Sequence, residues 1–174
     1  MLDEIKVKKA IKGDDNCFLE LINEQSEKLY KIAYSYVKNE QMALDITQET
    51  TYKAYMSIGK LKEPKYFNTW LIKILINESL SSINKEKHLT HFNNDISEDR
   101  DDYISKSENK LDIILELDKI DKKYRDVITL KYFDDLTSKE ISEILEIPLG
   151  TVKTYLHRGI SSLKKSMKEN GYEY

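Results

Sequence analysis

The sequence predicts an all-α protein made of two small helical domains joined by a flexible acidic linker. Three observations carry that expectation. Gly (5) and Pro (2) are scarce in 174 residues, so few turns are coded and long helices are favoured over many short strands. Apolar residues recur at three- and four-residue steps in two blocks, which places the domains at 1–87 and 111–174. Between them, residues 88–110 are polar and acidic, with Asn93-Asn94-Asp95-Ile96-Ser97-Glu98-Asp99-Arg100-Asp101-Asp102 and no sustained apolar period, the composition of a solvated tether.

In the first block, Gly13 ends a short helix and Asp14-Asp15-Asn16 can cap the next through side-chain oxygens. Phe18, Leu19, Leu21, Ile22, Leu29, Ile32, Ala33, Tyr36 and Val37 then give an amphipathic pattern. A break at Lys38-Asn39-Glu40 precedes a helix through Ala43, Ile46, Thr50, Ala54 and Tyr55, closed by Gly59. Pro64 fixes the following loop, and the most apolar helix is expected from Phe67 to Leu80.

In the second block, Leu111, Ile114, Leu115 and Leu117 start a helix, and Asp121 can cap another containing Tyr124, Val127, Ile128, Leu130 and Tyr132. Thr137 with Glu140 three residues on reads as a capping box opening a short helix, whose Ile141, Ile144 and Leu145 form one apolar face. Pro148 stops that helix and starts the next. There Val152, Leu156 and Leu163 turn inward, Ile160 lies at the margin, and Thr151, Lys153, Thr154, Tyr155 and Arg158 turn outward. Two short helices joined by a tight turn, the second polar and basic outside, make a helix-turn-helix, whose second helix fits a DNA major groove.

Charge supports a local nucleic-acid contact only. The formal net charge is −3, so the chain as a whole should bind DNA weakly without a partner. From Ile147 to Lys168, however, Lys153, Arg158, Lys164, Lys165 and Lys168 occur with no acidic residue. A helical hairpin with a merely solvated cationic face is the weaker alternative. A single cysteine, Cys17, excludes an internal disulfide, suits a reducing cytosol and reads as core. His88 and His91 read as exposed loop residues and not as a metal pair, since no ligand set accompanies them. Early charges argue against a signal peptide, and no apolar run reaches membrane-spanning length. Phosphate loops, glycine-rich fingerprints and nucleophile elbows are all missing, so no enzyme, cofactor or small-molecule substrate is expected.

Tyr124 through Phe133, followed by the hairpin with Gly150-Thr151-Val152-Lys153-Thr154 and Leu156-His157-Arg158, resembles the C-terminal domain of RNA polymerase sigma factors. Asp45-Ile46-Thr47-Gln48-Glu49-Thr50 resembles their segment that grips the polymerase clamp, and Thr69 through Ile74 with Asn77 resembles their −10 helix. The order and the linker point to the two-domain extracytoplasmic-function group of the sigma-70 family. The resemblance spans nearly the whole chain.

The resemblance implies a cytoplasmic factor that joins core RNA polymerase and reads promoter DNA. Asp45, Gln48 and Glu49 would meet the clamp helices of the largest subunit, and the C-terminal domain would meet the flap. Lys62, Lys65, Tyr66, Phe67, Asn68, Trp70, Lys73 and Asn77 would melt and hold the −10 strand. Thr151, Lys153, Thr154, Tyr155 and Arg158 would read the −35 duplex. It also implies an anti-sigma partner, often membrane-anchored, that releases the factor on a stress signal. Without the resemblance, the acidic face of Asp45 and Glu49 reads as solvated, Asn77 as a surface residue, and Trp70 as core in preference to strand path.

Two departures stand out. Many relatives carry arginine where Tyr155 stands, which implies an altered −35 preference. Ser79, Ser81, Ser82 and Asn84 replace a more basic stretch, which implies fewer phosphate contacts. The acidic linker would pass through the polymerase as a nucleic-acid mimic displaced by nascent RNA. Neutralising Asp95, Glu98, Asp99, Asp101 and Asp102 should then alter abortive synthesis, and unchanged synthesis would remove the idea. The rival readings are a dimeric helix-turn-helix regulator that binds palindromes without polymerase, and a decoy that binds polymerase without reading DNA.

Overall fold

The structure, a computed structural model, describes residues 3–92, 117, 119–133 and 136–169. The acidic segment from Asn93 to Lys110 and the helix expected at Leu111–Leu115 lie outside the described residues. Among the described residues every regular element is helical, and the chain divides into two compact units, Met1–Phe92 and Asn93–Tyr174.

The first unit opens with α1, Glu4–Ile11, whose N-cap Asp3 accepts from the Ile5 and Lys6 N–H groups. Gly13, at φ +94°, takes the left-handed turn that a β-carbon would disfavour. Asp14 then caps α2, Asp15–Val37, its carboxylate accepting from the Cys17 N–H at 3.0 Å. Helix α2 ends at Lys38, also left-handed, and Asn39 caps α3, Glu40–Ser57, by accepting from the Met42 N–H at 2.8 Å. The Asp14 cap and the break at Lys38-Asn39-Glu40 stand where the sequence placed them, and the structure adds Asn39 as a second cap.

Helix α2 packs on α1, α3 and a fourth helix, α4, spanning Phe67–Phe92. The inward positions of α3 are small: Ala43, Thr50 and Ala54 are fully buried beside Ile46, which lets the helices approach closely. The core is Phe18, Leu21, Ile22, Leu29 and Ile32 from α2 against Phe67, Leu71, Ile72, Leu75 and Ile76 from α4. Two 3-10 turns, Ile58–Lys60 and Pro64–Tyr66, carry the chain between α3 and α4, with Pro64 at a first-turn position that needs no N–H. Ion pairs add surface links: Lys6 Nζ lies 2.8 Å from Glu20 and 2.9 Å from Glu24, tying α1 to α2.

Several expectations need correction. Helix α4 continues to Phe92, twelve residues past Leu80, because nothing between Ser81 and Phe92 breaks a helix; His88 and His91 are therefore helical and not in a loop. Leu19 is 55 % exposed and Tyr55 47 % exposed, since both fall on the flank of their helices' apolar stripes. Cys17 and Trp70 are half-buried and not core. Tyr132 is 62 % exposed.

The second unit is built from α5, Lys122–Phe133, α6, Ser138–Leu145, and α7, Leu149–Glu169. Its core is Leu117, Ile120, Val127, Ile128 and Leu130 with Leu136, Ile141, Ile144, Val152 and Met167. The capping box is formed in full: the Glu140 N–H donates to Thr137 Oγ1 at 3.3 Å, and the Thr137 N–H donates to Glu140 Oε2 at 2.8 Å. Glu146, at φ +55°, ends α6, and the Ser142 hydroxyl donates to the Ile147 carbonyl at 2.6 Å across the turn. Gly159, buried in the middle of α7, lies against α5: a β-carbon there would stand 2.7 Å from Ile128 Cδ1. That glycine was not among the expected core positions, while Leu156 and Leu163, expected inward, are only half-buried.

Candidate nucleic-acid interface

Helix α7 presents its cations as the spacing predicts. Lys153, Thr154, His157 and Arg158 are exposed, as are Ser161, Lys164, Lys165 and Lys168. Thr151 is half-buried at the helix start, beside backbone N–H groups that attract anions. The Thr154 hydroxyl donates to the Gly150 carbonyl at 2.9 Å, so toward solvent its oxygen acts as an acceptor. Tyr155 departs from expectation. It is half-buried, with its ring edge-to-face on Tyr124 of α5 at 5.5 Å and 79°. His157, between Thr154 and Ser161 on the outward face, was missed as a candidate; its place one turn before the next outward residue was the available signal.

The loop before α4 and one stripe of that helix form a second surface, on the other unit. Lys62, Lys65 and Tyr66 are exposed, and Lys65 Nζ lies 4.9 Å from the Tyr66 ring centroid, a cation over an aromatic face. Trp70, Lys73 and Asn77 follow one another at three- and four-residue steps, which puts them on one side of α4, with Asn77 exposed and the other two half-buried. Phe67 and Asn68 do not join them. Phe67 is fully buried, tilted against Trp70 at 6.0 Å, and holds the start of α4 in the core. Asn68 lies on the core side of the same turn, its Oδ1 buried without a hydrogen-bond partner in the structure.

Helix α3 is a ridge with a groove on each side. Asp45 and Glu49 line a groove of about 590 Å³ toward α4, with Lys53 beside them on α3 and Glu78 across it. Lys53 Nζ is 2.6 Å from Glu78 and 3.5 Å from Glu49, and these carboxylates, Glu78 foremost, hold its ammonium above the ordinary lysine range. Gln41 donates to Asp45 at 3.1 Å. Gln48 lines the opposite groove, about 560 Å³, which is largely apolar through Phe18, Leu19, Tyr52 and Tyr55. Asp45, Gln48 and Glu49 are all exposed. The apolar groove was not foreseen, because tyrosines at helical spacing read equally well as core packing.

Among the described residues, no three His, Cys, Asp or Glu side chains are grouped to hold a metal, and no helix is long and apolar enough to cross a membrane.

Comparison with known proteins gives two ordered family matches: Sigma-70 region 2 at residues 21–88 and Sigma-70, region 4 at residues 110–163. The chain is 33 % identical to the ECF RNA polymerase sigma factor SigW of Bacillus subtilis, over 97 % of this chain and 98 % of that protein. It is 31 % identical to the RNA polymerase sigma factor SigV of the same organism, over 82 % and 86 % respectively. Two solved structures share the fold. CnrH, in complex with the cytosolic domain of CnrY, has a TM-score of 0.73 at 19 % identity, covering 98 % of this chain and 100 % of that one. The sigma factor RpoE of Bartonella quintana, in complex with the anti-sigma factor NepR, has a TM-score of 0.70 at 21 % identity, covering 84 % and 95 %. The two regions occur in the order that the helix bundle and the helix-turn-helix occupy, and the chain belongs to the sigma-70 family as an extracytoplasmic-function sigma factor that directs transcription initiation.

Proposed function

We propose that the first unit docks on core RNA polymerase through the α3 ridge, with Asp45, Gln48 and Glu49 meeting basic residues of the clamp helices. The apolar groove beside Gln48 gives that contact a surface to bury, since exposed charges alone contribute little affinity. Lys62, Lys65, Tyr66, Trp70, Lys73 and Asn77 hold the melted −10 strand. Cations neutralise its phosphates, aromatic faces stack on its bases, and the Asn77 amide both donates and accepts. Phe67 and Asn68 set the start of that helix from inside.

The second unit reads the −35 duplex through α7 and takes the flap as its polymerase contact. Lys153 and Arg158 serve guanine edges or phosphates, and Thr151 stands at a helix start that favours a phosphate. The observation that carries this reading is that, from Leu149 to Lys168, every charged residue of α7 is a cation, in a chain of net charge −3. A chain with that balance needs the polymerase to bring it to DNA. The dimeric-regulator alternative leaves the α3 ridge and the α4 stripe without a purpose.

The chain performs no catalysis of its own in this reading, and it acts in the cytoplasm where the polymerase works. An anti-sigma protein holds it until a signal arrives; one structural relative was solved with the cytosolic domain of CnrY and another with the anti-sigma factor NepR.

The test mixes the full chain with bacterial core polymerase on a pool of promoter fragments. Specific starts that need the chain, and that weaken in Arg158→Ala and Asn77→Ala, are the expected result. Tight duplex binding by the chain alone, with no association with core polymerase, would overturn it.

A further inference from the structure

Tyr155 is the one tyrosine of α7, and its ring is packed against a second tyrosine on α5. Its plane meets that of Tyr124 at 79° with centroids 5.5 Å apart, the edge-to-face geometry in which a positive ring edge meets a negative ring face. Tyr124 is itself held. Its N–H donates to the Asp121 carbonyl at 2.9 Å, and Lys123 Nζ lies 5.0 Å from its ring centroid while standing 3.3 Å from the Asp121 carboxylate. Its Cβ stands 3.0 Å from where a β-carbon on Gly159 would be, so α5 and α7 touch one turn beyond Tyr155.

A tyrosine side chain has two main torsions. On an unsupported helix the ring would exchange between rotamers and offer no fixed direction to a base. Against Tyr124, the phenol is confined to the flank of α7 between Thr151, one turn before, and Arg158, one turn after. A ring there offers an apolar face to a thymine methyl and a hydroxyl that both donates and accepts.

We propose that Tyr124 is a positioning residue for promoter recognition: by fixing the Tyr155 ring, it sets a preference for thymine at one base pair of the upstream duplex. The inference rests on the reading of α7 as the duplex-reading helix.

The experiment uses the full chain with core polymerase on promoters whose upstream duplex element is randomised, with transcripts sequenced to give base preferences. Tyr124→Phe keeps the ring and should keep the wild-type preferences. Tyr124→Leu should relax one base pair by about threefold to tenfold, the same pair that Tyr155→Leu relaxes, and the double variant should relax it no further. If Tyr124→Leu melts below the assay temperature, Tyr124→Met, flexible and ringless, takes its place under the same criteria. Unchanged preferences in the ringless variant, an even loss of output across all sequences, or relaxation at a pair indifferent to Tyr155 would each overturn the inference alone. A wild-type chain that drives transcription with no upstream preference would overturn the reading of α7 and the inference with it.

Discussion

Gly159 faces Ile128 so closely that a β-carbon added to it would stand 2.7 Å from the Ile128 Cδ1. The contact ties α7 to α5 at the midpoint of α7. Helix propensity alone favours Ala over Gly by about 1 kcal/mol, whereas overpacking a tight core costs roughly 1–3 kcal/mol. Ile128 is 1 % exposed and the second neighbour is the Tyr124 Cβ, which is bound to the backbone, so the contact wins. Gly159→Ala should destabilise the second unit by about 1 kcal/mol in urea unfolding, and Ile128→Val should recover part of that loss. A stabilised Gly159→Ala would mean that α5 and α7 stand further apart than described.

The Thr137–Glu140 capping box gives a smaller and cleaner expectation. Thr137→Ala removes the oxygen that accepts from the Glu140 N–H and should cost about 1 kcal/mol. Glu140→Gln retains an oxygen for the Thr137 N–H and should cost only a few tenths of a kcal/mol, about the size of ordinary surface substitutions. Equal losses in both variants, read from the urea midpoint, would count against the reciprocal arrangement.

Asp126 makes the stability of the second unit depend on pH in an unusual direction. Burial pushes its carboxyl up to about 6, against the pull of Lys122 and Arg125 nearby. Between about pH 4 and pH 6 the folded chain keeps a proton at this carboxyl that the unfolded chain has released, so stability falls as pH rises through that window and is level above it. At pH 7 the charged form costs on the order of 2–3 kcal/mol. Asp126→Asn should therefore raise the unfolding midpoint at pH 7 and leave it nearly unchanged at pH 4. A variant no more stable than wild type at pH 7 would show that the carboxylate is well solvated.

The apolar groove beside Gln48 should separate folding from assembly. Leu19 and Tyr52 are 55 % and 60 % exposed, so Leu19→Ser and Tyr52→Ser should shift stability by no more than about 0.5 kcal/mol. Each should weaken association with core polymerase by about tenfold, as loss of an apolar interface anchor does. Phe67→Ala, by contrast, removes a fully buried ring and should cost about 3–5 kcal/mol, so its loss of transcription would come from unfolding. Calorimetric unfolding beside a polymerase titration distinguishes the two classes. Wild-type affinity in both serine variants would remove the groove from the interface.

On the duplex side, Lys153→Ala should weaken polymerase-dependent binding across promoter sequences alike and lower the salt dependence by about one unit of slope. Arg158→Ala with a selective loss at one base pair would place that guanidinium on a base edge, and a uniform loss would place it on phosphate.

Where the sequence was informative, a local rule stood behind the signal. Asp14 and Thr137 announce helix starts because a short polar side chain next to an apolar period has few other uses. The Glu146–Pro148 turn and the cations of α7 were legible for the same reason. What was not legible depends on which neighbour a side chain meets. Trp70, Tyr55 and Tyr155 fit a buried stripe and an exposed flank equally well, and only the packing of α2, α4 and α5 decides among them. Gly159 reads as a weak point of a helix until the partner helix is seen. The end of α4 is not legible because its last turns are polar, and a polar composition suits a helix and a loop alike when no residue there forbids a helix.

That continuation of α4 acts as a ruler. Fifteen residues separate Asn77 from Phe92, and at about 1.5 Å per residue the helix extends roughly 22 Å beyond that asparagine. The helix therefore ends well away from the stripe of Trp70, Lys73 and Asn77, at a set distance from it. Adding or deleting a helical turn between Ser81 and Phe92 would move that end by about 5 Å and leave the stripe where it is.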